Sequence, residues 1–192
     1  GNSPYPQDSE HQVPFRGVAP GASLISLRVI GADGRGRASD VIEAIDWAIA
    51  NRKRFNIRII NLSLGGPVEQ SYRDDPLCEA VERAAHAGLI VVAAAGNRGK
   101  DAEGRSVYGS IEAPGNSPYA ITVGALNTKG TAARSDDELA TYSSKGPTWI
   151  DGIIKPDVAA PGNGIVSAAA PGGSLWSDYP TLRAAGAGED AY

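Results

Sequence analysis

Hydrophobic positions along the first two thirds of the chain switch between two rhythms. Residues 22–30 alternate and are rich in Leu, Ile and Val, which predicts a strand. A glycine-rich turn follows at Gly31-Ala32-Asp33-Gly34-Arg35-Gly36. Val41, Ile42, Ile45, Ala48 and Ile49 then recur at helical spacing, predicting an amphipathic helix to about Asn51 with Ser39 as its cap. Residues 57–64 form an apolar run broken only by Arg58, Asn61 and Ser63, a second predicted strand stopped by Gly65-Gly66-Pro67. Asp75 and Pro76 supply a cap and a first turn for a second helix, with Leu77, Ala80, Val81, Ala84 and Ala85 on one face and Gly88 at its C-terminal end. Residues 89–95 and 119–126 read as two further strands, the former apolar enough to be buried on both faces. Beyond them helical periodicity is lost, and short strand-like pieces such as 165–170 sit between Gly- and Pro-rich turns. Residues 1–16 are polar and proline-punctuated, a loop by pattern, and 182–192 are small and acidic.

Helical segments between buried strands predict an α/β fold, a mostly parallel central sheet flanked by helices in three layers and joined by right-handed crossovers. A length of 192 residues with 42% hydrophobic content suits one domain with a sizeable core. The net charge is −4 and no basic block stands out, which argues against nucleic acid or an anionic membrane as partner. No apolar run approaches the roughly 20 residues of a membrane span. No charged-then-apolar leader is visible, which says little about an excerpt from a longer chain. Cys78 is the single cysteine, so no intrachain disulfide forms, and its apolar helical setting reads as a buried inert thiol. The two histidines, His11 and His86, show no metal-ligand spacing, so no metal site is expected. His86 reads as a dipole partner at a helix C-terminus, His11 as a loop residue.

The chemistry concentrates at two strand ends. Val91-Val92-Ala93-Ala94-Ala95 stops at Gly96-Asn97, placing a neutral carboxamide donor where open α/β sheets put their ligands. Acyl transfer needs such a donor for a developing oxyanion, although Gly-Asn is also a common turn. Ser63-Leu64-Gly65-Gly66 ends the neighbouring strand, and its glycines leave room for another extended backbone to hydrogen-bond there.

Several segments, in order, resemble the subtilisin-like serine proteases (subtilases). They are Arg16-Gly17-Val18-Ala19-Pro20-Gly21-Ala22, Ile60-Asn61-Leu62-Ser63-Leu64-Gly65-Gly66 and Val91-Val92-Ala93-Ala94-Ala95-Gly96-Asn97. Further along come Ile121-Thr122-Val123-Gly124-Ala125, Tyr142-Ser143-Ser144-Lys145-Gly146-Pro147 and Lys155-Pro156-Asp157-Val158-Ala159-Ala160-Pro161-Gly162. The likeness is strongest over residues 15–167 and implies that 1–192 is part of a catalytic domain, incomplete at both ends. It implies that Asn97 is the oxyanion-hole asparagine and that Ser63, Leu64 and Gly65 pair with substrate backbone. Ala94, Ala95 and Gly96 would wall the pocket for the residue before the scissile bond, an open pocket suited to large apolar side chains. Pro114 matches a position that is often cis, and Asp157 one near a weak cation site in some members, although an aspartate after proline is also an ordinary turn residue or cap.

The family's triad runs Asp, His, Ser in chain order. Its usual contexts, Asp-Thr/Ser-Gly, His-Gly-Thr-His and Gly-Thr-Ser-Met-Ala, are absent from this sequence, which has no methionine. The spacing of the matching segments implies a stretch lying between the catalytic histidine and the catalytic serine. A serine hydroxyl without a base is a weak nucleophile, so the chain alone is expected not to hydrolyse peptides. Its partners are then a polypeptide substrate and the rest of the catalytic domain, and part of the sheet's apolar face is expected to be bare. The resemblance implies an extracellular or periplasmic parent protein and no cofactor for this segment, with structural calcium possible in the parent. A second reading is a non-catalytic peptide-binding module of the same ancestry. A third, a nucleotide-binding domain, has only superficial support from the glycines, because Gly31-x-x-Gly34-x-Gly36 is not the dinucleotide fingerprint.

Overall fold

Parallel pairing dominates the sheet, as the alternation of helices and strands requires. The structure, a computed structural model, describes residues 17–167 and 172–182. Strand β1 (Ile59–Leu62) pairs in parallel with β2 (Ile90–Ala94), with Ile59 opposite Ile90. Next, β2 pairs in parallel with β3 (Ala120–Asn127), setting Val91 opposite Ala120. The far end of β3 takes an antiparallel partner, β4 (Glu138–Leu139), and a parallel one, β5 (Val158–Pro161). The five strands form one sheet in which β1 holds an outer edge.

Two helices cover one face. Helix α1 (Ala38–Asn51) buries Val41, Ile45 and Ala48. Helix α2 (Pro76–His86) buries Leu77, Cys78, Ala80, Val81 and Ala84. These side chains meet Leu62, Leu89, Val91, Ala93 and Ala120 in one core. Asp75 caps α2 as expected, its Oδ1 accepting from the N–H groups of Leu77 at 2.8 Å and Cys78 at 3.1 Å. Gly88 lies just past the helix at φ +85°, where a side chain is disfavoured. An Arg83–Asp46 ion pair of 2.9 Å ties α2 to α1.

Among the described residues the opposite face is open. Side chains in register, or two residues apart along a strand, share a face, so Ile59, Ile90, Ile121 and Val158 all lie on this one. They are 58%, 50%, 44% and 50% exposed. The run 89–95 is therefore covered on one side only among the described residues, and this stripe is the bare face anticipated above.

Other expectations need correction. Residues 22–30 form no ladder; the segment makes one isolated bridge, Ile30 with Gly36, and Leu24 is 92% exposed. Alternation states a preference, but a strand exists only where another backbone satisfies its N–H and C=O groups, and none lies alongside among the described residues. Ser39 is not the cap of α1: Arg37 holds that position without a side-chain bond, and the Ser39 hydroxyl donates to Asp40 inside the first turn. Strands β4 and β5 escaped prediction because one is two residues long and the other is alanine or proline at three of its four positions, without alternation. The expected piece at 165–170 lies partly outside the described residues, and 165–167 are not in a strand. His11 also lies outside them.

Candidate active-site cleft

Parallel strands β1 and β2 end side by side, and the residues that follow them form the candidate site. At the end of β1, Ser63 and Gly65 are exposed, while Leu64 turns its side chain toward the core. Ser63, Leu64 and Gly65 make no backbone hydrogen bond among the described residues, so this short edge is free to receive an extended chain. Gly66 differs from expectation. Its N–H donates to Ala113 O at 3.0 Å and its C=O accepts from Ala113 N at 2.9 Å, so its backbone is already paired. Only 63–65 remain open.

At the end of β2 the chain is anchored from behind. Ala95 N donates to Val123 O at 2.9 Å, and Ala95 O accepts from Glu112 N at 3.0 Å. Gly96 turns the backbone out of the sheet at φ +106°, a conformation that favours glycine. Asn97 follows, exposed, and its carboxamide makes no hydrogen bond among the described residues. Ser144, wholly buried, grips the chain on both sides of it. Ser144 N donates to Gly96 O at 2.9 Å, and Ser144 Oγ accepts from Arg98 N at 3.0 Å. Gly99 N then donates to Tyr142 O at 2.8 Å, and Lys145 Nζ donates to Gly99 O at 2.9 Å. The loop thus holds a free amide donor on a fixed backbone, the arrangement that electrostatic catalysis requires.

Of Ala94, Ala95 and Gly96, it is Gly96 that meets a charged side chain. Glu112 lies across Gly65 and Gly96, and its Oε1 accepts from Arg98 Nε at 2.6 Å. Neither Glu112 nor Arg98 was singled out from the sequence. The available signal was an isolated acid two residues before Pro114 in an otherwise apolar and small segment, with a base next to Asn97.

Outside the cleft, the Ala113–Pro114 peptide is cis, as the resemblance implied. Gly115 follows because a Cβ there would come within 2.5 Å of Ala94 O. Asp157 serves as a turn residue: its Oδ2 accepts from Thr122 N at 2.7 Å and from Lys155 Nζ at 2.6 Å. Burial alone would raise this carboxyl, but Lys155 and the Thr122 N–H outweigh it and hold it below its ordinary range. The Lys155 ammonium already supplies the positive charge that a bound cation would bring. Among the described residues, no three His, Cys, Asp or Glu side chains gather as a metal site. Cys78 is buried with its Sγ 3.3 Å from Asn116 Oδ1, and burial pushes the thiol up to about 12. The burial is as expected. His86 ends α2 and packs edge-on against Tyr119 at 5.4 Å between ring centroids.

A family model described as the subtilase family matches residues 5–186. The chain belongs to the subtilase family. It is 41% identical over 162 residues to Serine protease AprX of Bacillus subtilis, covering 82% of this chain and 35% of that protein. It is 37% identical over 158 residues to Subtilisin E of the same organism, covering 82% and 34%. Among solved structures, the S41 psychrophilic protease superposes with a TM-score of 0.63 at 34% identity, over 79% of this chain and 47% of that one. Sphericase does so with a TM-score of 0.64 at 31% identity, over the same shares of 79% and 47%. The subtilase segment thus spans about a third of the length of the curated relatives it matches. No helix of its described residues is long and apolar enough to cross a membrane.

Proposed function

We propose that this subtilase segment supplies part of the peptide-hydrolysing site of a serine endopeptidase. Residues 1–192 are then one piece of the catalytic domain, between the histidine and serine of the triad. Asn97 donates its side-chain N–H to the oxygen that becomes negative when a peptide carbonyl is attacked. Ser63, Leu64 and Gly65 bind the substrate backbone as an added strand, and Ala94, Ala95 and Gly96 bound the site for the residue before the scissile bond. The observation that carries this reading is the free Asn97 carboxamide beside the unpaired 63–65 edge, with Ser144 fixing the backbone between Gly96 and Arg98.

The nucleophile and its base come from outside this segment. The uncovered stripe of Ile59, Ile90, Ile121 and Val158, with the outer edge of β1, is the surface on which the rest of the domain packs. The parent protein is extracellular or periplasmic and acts on polypeptides, and this segment itself requires no cofactor. Calcium, if the parent holds it, is bound elsewhere than at the Lys155-paired Asp157.

The test compares the 192-residue chain with its full-length parent, using a chromogenic peptide and a serine-directed fluorophosphonate. The parent hydrolyses the peptide and is labelled at one serine, whereas the 192-residue chain does neither. Labelling of a serine within this chain would overturn the assignment of the nucleophile to another segment. A parent that takes up no label and cleaves no peptide would overturn the peptidase reading itself.

A further inference from the structure

Glu112 puts a carboxylate where the small residues of the two strand ends left space. A Cβ built on Gly96 would fall 2.5 Å from Glu112 Oε2 and 2.7 Å from its Cγ. One built on Gly65 would fall 3.1 Å from Glu112 Cβ and 3.3 Å from Oε2. The side chain therefore spans the gap between the two backbones that flank a bound peptide. It is also fixed from behind. Glu112 N donates to Ala95 O at 3.0 Å, Glu112 O accepts from Asn116 N at 3.1 Å, and the next residue is paired to Gly66.

Its two oxygens are used differently. Oε1 accepts from Arg98 Nε at 2.6 Å, while Oε2 accepts no hydrogen bond among the described residues. The Glu112 side chain is 15% exposed and the Arg98 side chain 67%. The acid is held in the protein wall, whereas the base lies mostly in water and can swing aside at small cost. An apolar side chain entering between Gly65 and Gly96 would press hydrocarbon against a carboxylate and strip its water, which is unfavourable. A lysine or arginine entering there would give Oε2 a charge-assisted partner and could take over the place of Arg98.

We propose that Glu112 makes this subsite selective for a lysine or arginine immediately before the scissile bond, with Arg98 as the internal cation that the substrate displaces. The inference rests on the peptidase reading above and adds the substrate class that this chain's own residues select.

The experiment uses the full-length protein and a set of quenched fluorescent peptides that differ only in the residue before the cleaved bond: Lys, Arg, Phe, Leu or Glu. The expected kcat/KM for Lys and Arg exceeds that for Phe by roughly ten- to a hundredfold, the range of one charge-assisted contact. Glu112→Gln lowers the Lys-to-Phe ratio at least about tenfold, mainly by slowing Lys and Arg. Arg98→Ala removes the competing cation and raises the rates for Lys and Arg above those of the parent protein. A preference for Phe or Leu that persists unchanged in both variants would overturn the selectivity while leaving the peptidase reading intact. Failure of the unmodified protein to cleave any of the peptides would overturn the peptidase reading, and the selectivity with it. If Glu112→Gln fails to fold, the profiles of the unmodified protein and of Arg98→Ala still decide the matter.

Discussion

The buried Ser144 hydroxyl accepts the backbone N–H of Arg98 at 3.0 Å, one residue past Asn97. With Ser144 N donating to Gly96 O at 2.9 Å, this single residue clamps both peptide groups that flank the asparagine. A donor aimed at a developing charge is effective only if it does not have to reorient when the charge appears. On the role proposed for Asn97, Ser144 would act as a positioning residue, through the backbone on either side of the asparagine.

Ser144→Ala keeps the backbone bond to Gly96 and removes the one to Arg98. In the full-length protein, steady-state kinetics should show kcat lower by roughly ten- to a hundredfold, the scale of a small misplacement at a reacting centre, with KM little changed. A rise in KM at constant kcat would mean that Ser144 supports substrate binding instead.

The Lys155–Asp157 pair predicts an acid-sensitive contribution to stability. The carboxyl of Asp157 is held below its ordinary value of 3.8 in the folded chain. A depressed carboxyl stabilises the fold fully above the unfolded value, and that contribution is lost as pH falls through the folded one. The Asp157 side chain is 40% exposed, so water and salt screen the pair and its share is small. Urea midpoints of the full-length protein and of Asp157→Asn should differ at pH 7 and converge on acidification below about pH 4. A gap that stays constant or widens in acid would contradict the direction given to this group.

The uncovered sheet face predicts association of the isolated segment. Ile59, Ile90 and Ile121 are each about half exposed on one face, and apolar stripes of that kind seek cover. Light scattering of the purified 192-residue chain should report a mass above that of a monomer. Replacing the three isoleucines by serine together should lower it. An unreplaced chain that remains monomeric would show that the stripe is not sticky.

Much of this was legible in the chain. Periodicity placed α1 and α2 because their faces bury in a single core: Val41, Ile45, Val81 and Ala84 repeat at the spacing that one helix face demands. The ends of β1 and β2 were readable because glycines stop both apolar runs shortly after Leu62 and Ala94. Residues 22–30 misled for the converse reason: strand character is completed by a partner, and alternation carries no information about whether the partner is present. Glu112 and Arg98 stayed invisible because their meaning lies in contacts between residues 14 apart, through a loop without periodicity. Ser144 lies in one of the family-like segments, but its grip on the loop spans 46 residues of sequence, and hydrogen bonds at that range leave no local pattern.

The central claim is that Asn97 stabilises the transition state and not the bound substrate. The most direct measurement is kcat and KM of the full-length protein carrying Asn97→Ala, on one good peptide substrate. The expected result is a kcat lower by about 10²–10³ with KM nearly constant, a magnitude taken from the corresponding asparagine of subtilisin and not from this geometry. An unchanged kcat, or a loss confined to KM, would contradict it.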